Sequence, residues 1–397
     1  MNILMVLDKK FPIDIRVENE AITLIKAGHQ VGILSIAAYE KSEVISVKGI
    51  KVYRHAVSKF TQNKMHALAG MLPWMDRKVA KLVDSILKKE DYQAIHFHDL
   101  YLFGAARLIK KKHDVKFVGD MHENYVEVIK DYQWATKFPN RLLISHKKWE
   151  RKERNWLQDM DKIITVSSGI RNRIISKGID EDDVMVVPNT IHTDLFDEYS
   201  KNDQILKKMS SYFTLLYVGG FVSNRGLEHV IEGMVEVKKY AKDIRLVLVG
   251  DGDIRTDLEV LVKQHNVEDV VWFEGWHNQD EIKSYLMGGD VGLVPFKRTP
   301  QTDNSSSNKL FQYMYYEMPI LGTNCTSVKK LIDLENAGII YETENKVKFV
   351  EGVKSLYKKK ELRKELGQNG RRAVLEKYNW NVTTSVMVEM YNDLEKK

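Results

Sequence analysis

The chain has 397 residues, 43% hydrophobic and 29% charged, with a formal net charge of +6. That length exceeds what one ordinary core organises, so two domains are expected. The single cysteine, Cys325, excludes an intramolecular disulfide framework and fits a reducing compartment. "MNILMVLDKK" reads as no signal peptide, and no window approaches the roughly 18 apolar residues of a membrane span, so a cytoplasmic protein is expected. The mild basic excess admits an anionic ligand or an anionic membrane surface and demands neither.

Short apolar runs alternate with helical periodicity from the start. "NILMVL" (2–7) reads as a buried strand. Residues 15–27 follow as a helix with Val17, Ala21, Leu24 and Ile25 on one face, and Gly28 at its C-cap. "QVGILSI" (30–36) completes a βαβ unit. Further strands are predicted at "IKVYRHA", "YQAIHFHD", "VKFVGDMH", "KIITVS" and "VMVVPN". After the polar stretch "HTDLFDEYSKND" (192–203) the pattern restarts with "TLLYVGG", "IRLVLVGDG", "VVWFEGW", "VGLVPF" and "PILGTN". Near-continuous apolar strands between helices predict parallel sheets covered on both faces, so the fold class is α/β with two doubly wound domains joined near residue 195. Ligands of such folds bind at the carboxyl ends of strands.

Two stretches pose chemical questions. In "YVGGFVSNRG" (217–226) a strand ends on Gly219-Gly220 and hands over to a helix opened by Arg225-Gly226. The segment is either a plain turn or a place where the backbone makes room for a phosphate within reach of Arg225. In "TDNSSSNKLFQYMYYEMPIL" (302–321) a polar loop leads into a helix running to about Glu317, with Ser307 or Asn308 as N-cap. Lys309 then lies in the first turn, where a cation opposes the helix dipole unless an anion binds there. A solvated lysine is the plainer account.

In order and spacing the chain resembles the GT4 family of glycosyltransferases, which have the GT-B fold. The resemblance is carried by "FPIDIRVENEAITLIKAGHQV", "DMHE" (120–123), "ITVSSGI", "VVPNTIHTDLF", "YVGGFVSNRG", "VGDG", "SNKLFQYMYYEMPILGTN" and "YNWNVTTSVMVEMY". It implies two Rossmann-like domains facing a cleft. Residues 1–195 plus 378–397 would form the acceptor-side domain, and 196–377 the nucleotide-sugar domain. It implies a nucleotide-sugar donor as substrate, no separate cofactor and no metal. Arg225 and Lys309 would meet the donor diphosphate with Gly219, Gly220, Ser307 and Asn308, Gln312 would meet the ribose, and Trp276 would lie near the base. His122, with Asp120 and Glu123, would be catalytic. Asp14, Arg16 and His98 would line the acceptor side, although a purely structural role for Asp14 and Arg16 is an equal alternative.

The family pattern is not complete. Gly220 stands where a first cation is usual, Arg225 replaces a lysine, and the paired glutamates of the family become Asn304 and Gln312. Gln312 can still hydrogen-bond ribose hydroxyls, as a neutral group. "DGD" (251–253) looks like a metal motif, but it ends a strand where the family carries a turn. "MHALAGMLPWMDRK" (65–78) and "HKKWERKERNW" (146–156) mix bulky apolar residues with bases, which suits peripheral membrane contact; the second also reads as a helix packed on its own sheet. No nucleic-acid motif is apparent. The expected activity is a metal-independent, retaining hexosyltransferase. It would use a UDP-sugar, with a GDP-sugar as the other candidate, on a glycan or lipid-linked glycan acceptor. The alternatives are a nucleotide-sugar 2-epimerase of the same fold and a non-catalytic donor-binding partner subunit.

Overall fold

A computed structural model of the chain describes residues 1–62, 73–129, 145–304 and 307–396. It divides into two compact units, unit 1 being Met1–Pro188 with Thr384–Lys397, and unit 2 being Asn189–Thr383.

Unit 1 is built on an eight-stranded sheet: β1 (Asn2–Leu7), β2 (Gln30–Ala37), β3 (Glu43–Val47), β4 (Ile50–Ala56), β5 (Ala94–His98), β6 (Lys116–Met121), β7 (Lys162–Thr165) and β8 (Val184–Val186). The spatial order is β3-β4-β2-β1-β5-β6-β7-β8, and only the β3–β4 pair is antiparallel among the described strands. The two-residue period of a strand separates its faces. Leu4 and Val6 join Ile95, Phe97 and Phe117 under the helix Trp74–Leu87 and Trp149. Ile3, Met5 and Leu7 join Val118 and Ile164 on the other face, under the first helix (Ile15–Lys26). The helix Ser385–Lys396 belongs to that second layer through Met387, Met390, Tyr391 and Leu394.

Unit 2 carries an all-parallel six-stranded sheet in the order β11-β10-β9-β12-β13-β14. Its strands are β9 (Phe213–Val218), β10 (Ile244–Val249), β11 (Val271–Gly275), β12 (Val291–Val294), β13 (Ile320–Thr323) and β14 (Gly338–Tyr341). Leu215 and Tyr217 of β9 face one core layer, Leu216 and Val218 the other. In each sheet the strand order turns back on itself, between β1 and β5 in unit 1 and between β9 and β12 in unit 2. The carboxyl ends at such switch points are where open α/β sheets hold ligands.

Several expectations need correction. Ile25 is 37% exposed, and the first helix buries Arg16, Asn19 and Glu20 instead. Strands β3 and β14 were not foreseen. The later helix spans Asn308–Tyr315, and Glu317 adopts a left-handed φ of 55°. The units part at Pro188 and Thr383, where the sequence reading sets the joins at 195 and 378. Residues 65–72 of the first basic-apolar cluster lie outside the described residues. In the second, the helix His146–Leu157 turns Trp149, Trp156 and Leu157 into its own core and leaves Lys147, Lys148, Arg151 and Arg154 outward.

Candidate active site

At the unit 1 switch point Asp8 follows β1, Asp99 follows β5 just after His98, and β6 carries Asp120 and Met121 into His122. Asp120 is fully buried, and the Arg16 guanidinium grips it twice, Nε to Oδ2 and Nη2 to Oδ1, both at 3.1 Å. Arg16 also donates Nη1 to the Val187 carbonyl at 2.9 Å and stands 2.9 Å from Glu20 one turn along its helix. His122 Nε2 lies 2.9 Å from Asp120 Oδ2 and 3.3 Å from His98 Nδ1. Its Nδ1 lies 3.6 Å from Asp99 Oδ1. His96 and His98, two residues apart on β5, share a face and stack at 4.4 Å. Tyr391 of the returning helix hydrogen-bonds His96 Nδ1 at 3.0 Å.

Asp99 sits at φ 74°, a left-handed conformation that costs a non-glycine residue about 1–3 kcal/mol. Tyr101 donates to Asp99 at 3.1 Å and to Asp8 at 2.9 Å, and Lys9 stands 3.5 Å from Asp99. The surrounding contacts thus fix its carboxylate beside His122.

This packing decides the charges. Burial opposes a charged His122, but the Asp120 and Asp99 carboxylates outweigh it and lift its pKa to about 9. Asp120 is driven well below the usual carboxylate range because Arg16 and His122 overcome its burial. Burial pushes Glu20 up to about 8 against the pull of Arg16. Burial also lowers His96 and His98, which are held neutral. At neutral pH His122 is therefore a proton-bearing donor, neutralised by Asp120.

Glu20, His96, His98 and Asp120 bring one ligating atom each within 4.8 Å of one another. Such donors suit a divalent ion. Here Arg16 already sets its guanidinium on both Asp120 oxygens and on Glu20, so the negative charge is met from within.

The unit 2 switch point has the opposite balance. Gly219 follows β9 at φ 140°, and a Cβ there would stand 2.8 Å from Lys309 Nζ. The glycine thus makes room for the lysine, which approaches from the first turn of Asn308–Tyr315. Arg225 arrives from the short turn Ser223–Arg225, ahead of Gly226, whose φ of 65° starts the helix Leu227–Tyr240. Lys309 Nζ lies 3.7 Å from the centre of the Tyr217 ring and 5.2 Å from that of Phe296; Arg225 Cζ lies 4.6 Å from the Phe296 ring. Neither cation has a carboxylate partner among the described residues. Burial, and then Arg225, pull the Lys309 pKa well below its ordinary value.

Two family descriptions cover most of the chain: "Glycosyltransferase Family 4" matches residues 14–195 and "Glycosyl transferases group 1" matches 198–373. The chain is a GT4-family glycosyltransferase with the GT-B fold. An uncharacterised glycosyltransferase of Methanocaldococcus jannaschii is 24% identical over 375 residues, spanning 93% of this chain and 90% of that one. Sucrose-phosphate synthase from Thermosynechococcus elongatus superposes with a TM-score of 0.78 at 16% identity, over 100% of this chain and 99% of the other. Anabaena HepE in complex with UDP superposes at 0.72 and 12% identity, over 99% and 100%.

In this GT4 chain the named residues fall into two groups, one per unit. Asp120, His122 and His98 form one cluster; Gly219, Arg225 and Lys309 form the other. Gln312 is buried three residues beyond Lys309 on the same helix, and Ser307 holds the N-cap position without a side-chain capping bond. Asn308 and Gly220 are exposed, and a Cβ on Gly220 would meet only the Asp251 carbonyl, at 3.9 Å. Trp276 is 75% exposed just past β11. Glu123 is half-buried beside His122. Arg16, expected near acceptor or phosphate, is committed to Asp120, Glu20 and a carbonyl, which favours its structural alternative. Asp14 caps the first helix through Val17 N at 3.4 Å. Asp251 of "DGD" bonds its own turn at Gly252 N and pairs with Arg255. Glu20, His96, Tyr217 and Phe296 were missed. The His-x-His alternation of β5 and the Arg16–Glu20 spacing of four were their only signals.

Proposed function

We propose that the protein is a retaining hexosyltransferase that moves a sugar from a nucleoside-diphosphate sugar to a hydroxyl of a glycan or lipid-linked glycan. UDP is the favoured carrier, with GDP as the other candidate. The observation that carries this reading is the pair of buried Lys309 and half-buried Arg225. They stand without a carboxylate partner among the described residues, at a strand-order reversal and beside a helix N-terminus. Two like charges in such a place are stabilised by a polyanion, and a diphosphate offers that charge. HepE being solved with UDP supports the choice of base by analogy.

In this reading the bond between the anomeric carbon and the diphosphate oxygen breaks. The acceptor oxygen bonds to the same carbon on the same face, and its proton passes to the departing phosphate oxygen. His122 keeps its own proton, so it serves as donor and not as base. Its Nε2–H is engaged by Asp120, which leaves Nδ1–H, 3.6 Å from Asp99, to meet a sugar oxygen. The reaction needs no metal here, since Arg225 and Lys309 carry the leaving charge. No helix among the described residues is long and apolar enough to cross a membrane. Peripheral contact would use the outward bases of His146–Leu157.

The test is calorimetry with UDP, GDP, uridine and guanosine, followed by transfer assays with the sugar forms of whichever diphosphate binds. Arg225→Ala and Lys309→Ala should each weaken diphosphate binding about ten- to a hundredfold, with nucleoside affinity unchanged. Unchanged diphosphate affinity in both variants would remove the main support for the reading.

A further inference from the structure

Arg225 and Lys309 need something to hold them in place before an anion arrives. In most buried sites that is a carboxylate. Here it is an aromatic ring. Phe296 follows β12, its side chain is 1% exposed, and both Arg225 and Lys309 stand over its ring. Tyr217 lies against Lys309 as well.

The backbone of Phe296 is pinned. Its carbonyl accepts Thr323 Oγ1 at 2.7 Å, Thr343 Oγ1 at 3.0 Å and the Cys325 thiol at 3.4 Å. The next residue, Lys297, donates its N–H to Asn224, immediately before Arg225, at 3.0 Å, and Thr302 Oγ1 donates to the Lys297 carbonyl at 2.6 Å. The buried thiol thus has a place in the architecture: it helps to fix the height of the ring. The same latch joins the ring to the turn that carries Arg225.

We propose that Phe296 is a positioning residue of the phosphate site, its ring face holding Arg225 and Lys309 where a carboxylate would otherwise stand. The chemistry of the ring explains the choice. A π face attracts a cation through its quadrupole but offers no lone pair in the plane of an N–H donor. The donors stay available to an incoming anion. A carboxylate would consume them and repel a diphosphate. The inference rests on the reading that these two cations meet the donor diphosphate.

Phe296→Leu keeps an apolar side chain and removes the π face, and Phe296→Tyr keeps the face. Calorimetry with UDP and GDP against uridine and guanosine separates positioning from packing. In a folded Phe296→Leu protein, diphosphate affinity should fall about tenfold while nucleoside affinity is unchanged, and Phe296→Tyr should bind within about threefold of wild type. Phe296→Met, unbranched and adaptable in cores, serves if the leucine variant does not fold. Unchanged diphosphate affinity in the leucine or methionine variant overturns the inference. So does an equal loss for diphosphate and nucleoside, which marks Phe296 as core only. If Arg225→Ala and Lys309→Ala weaken UDP or GDP binding and neither Phe296 variant does, this inference fails and the donor reading stands. If the cation variants also have no effect, both fail.

Discussion

His122 makes the stability of unit 1 depend on pH, and its direction can be worked from the site. The charges facing it are Asp120 and Asp99, with Arg16, His98 and Asp14 beyond. In the folded chain burial opposes its proton, but the two nearest carboxylates raise its pKa from 6.5 to about 9. The folded state therefore holds one more proton than the unfolded state between those two values. Stability from this group is complete below about 6.5 and is lost as pH rises through about 9. A rise of that size corresponds to about 3 kcal/mol, and the depressed Asp120 reports the same interaction, so it is not counted again. The assay is urea unfolding of wild type and His122→Gln at matched pH from 6 to 10, with unit 1 followed by limited proteolysis. The difference between the two proteins cancels the titrating groups that His122 does not touch, leaving His122 with the carboxylates coupled to it, Asp120 and Glu20. It should shrink by about 3 kcal/mol across the window. Parallel curves at all pH values would refute the argument, and with it the claim that His122 carries a proton at neutral pH.

Three further outcomes are expected. Gly219→Ala places a Cβ 2.8 Å from Lys309 Nζ at φ 140°, so UDP or GDP should bind about tenfold more weakly by calorimetry; wild-type affinity would mean that Lys309 does not use this space. Arg16→Met leaves buried Asp120 with His122 and His98 alone, and the loss of a buried pair should cost about 3 kcal/mol in urea unfolding; a loss under about 1 kcal/mol would count against the pairing as drawn. Transfer should survive excess EDTA, since the leaving charge is assigned to side chains; abolition by EDTA with recovery on Mn²⁺ would reverse that assignment.

Twelve of the strands, including β1, β2, β5 and β9, were legible because parallel strands buried on both faces read as apolar runs. Strand β3 was not: it is an edge strand, and its alternating pattern leaves Val44 58% exposed. Strand β14 is four residues long and begins with Gly338, too little for a periodicity to register. Arg225 and Lys309 were legible one at a time, through a strand ending in glycines and a lysine at the wrong end of a helix. Their shared floor was not, since Phe296 reads as one more apolar residue ending a strand. Arg16 could not be assigned from sequence because its principal partner, Asp120, lies 104 residues away. His96 and His98 were visible as an alternation, but the rings are buried and stacked, and burial is a property of the sheet and not of the motif.

The two units treat buried charge in opposite ways. In unit 1 three buried acids near the switch point have cations: Asp120 has Arg16 and His122, Asp99 has Lys9 and His122, and Glu20 has Arg16. Farther along, buried Glu153 is clamped between Arg173 and Lys177. In unit 2 Arg225 and Lys309 have aromatic rings for neighbours and no carboxylate among the described residues. Aromatic faces recover only part of what a buried cation loses on leaving water. A site that closes its charges can touch a neutral sugar without demanding an anion. A site that leaves two cations open gains stability when an anion binds, by an amount that grows with the logarithm of the anion's concentration over its dissociation constant. The proposed division between a unit that meets the sugar and a unit that meets the diphosphate rests on where each sheet places its acids. It also sets what a restored cation could do. Gly220 has open space around its Cβ position, so Gly220→Arg is sterically admissible. It would add a positive charge beside Arg225 and Lys309, where no acid among the described residues pairs with them. Such a change should tighten diphosphate binding and lower the stability of the unliganded protein together, because one unmet charge is responsible for both.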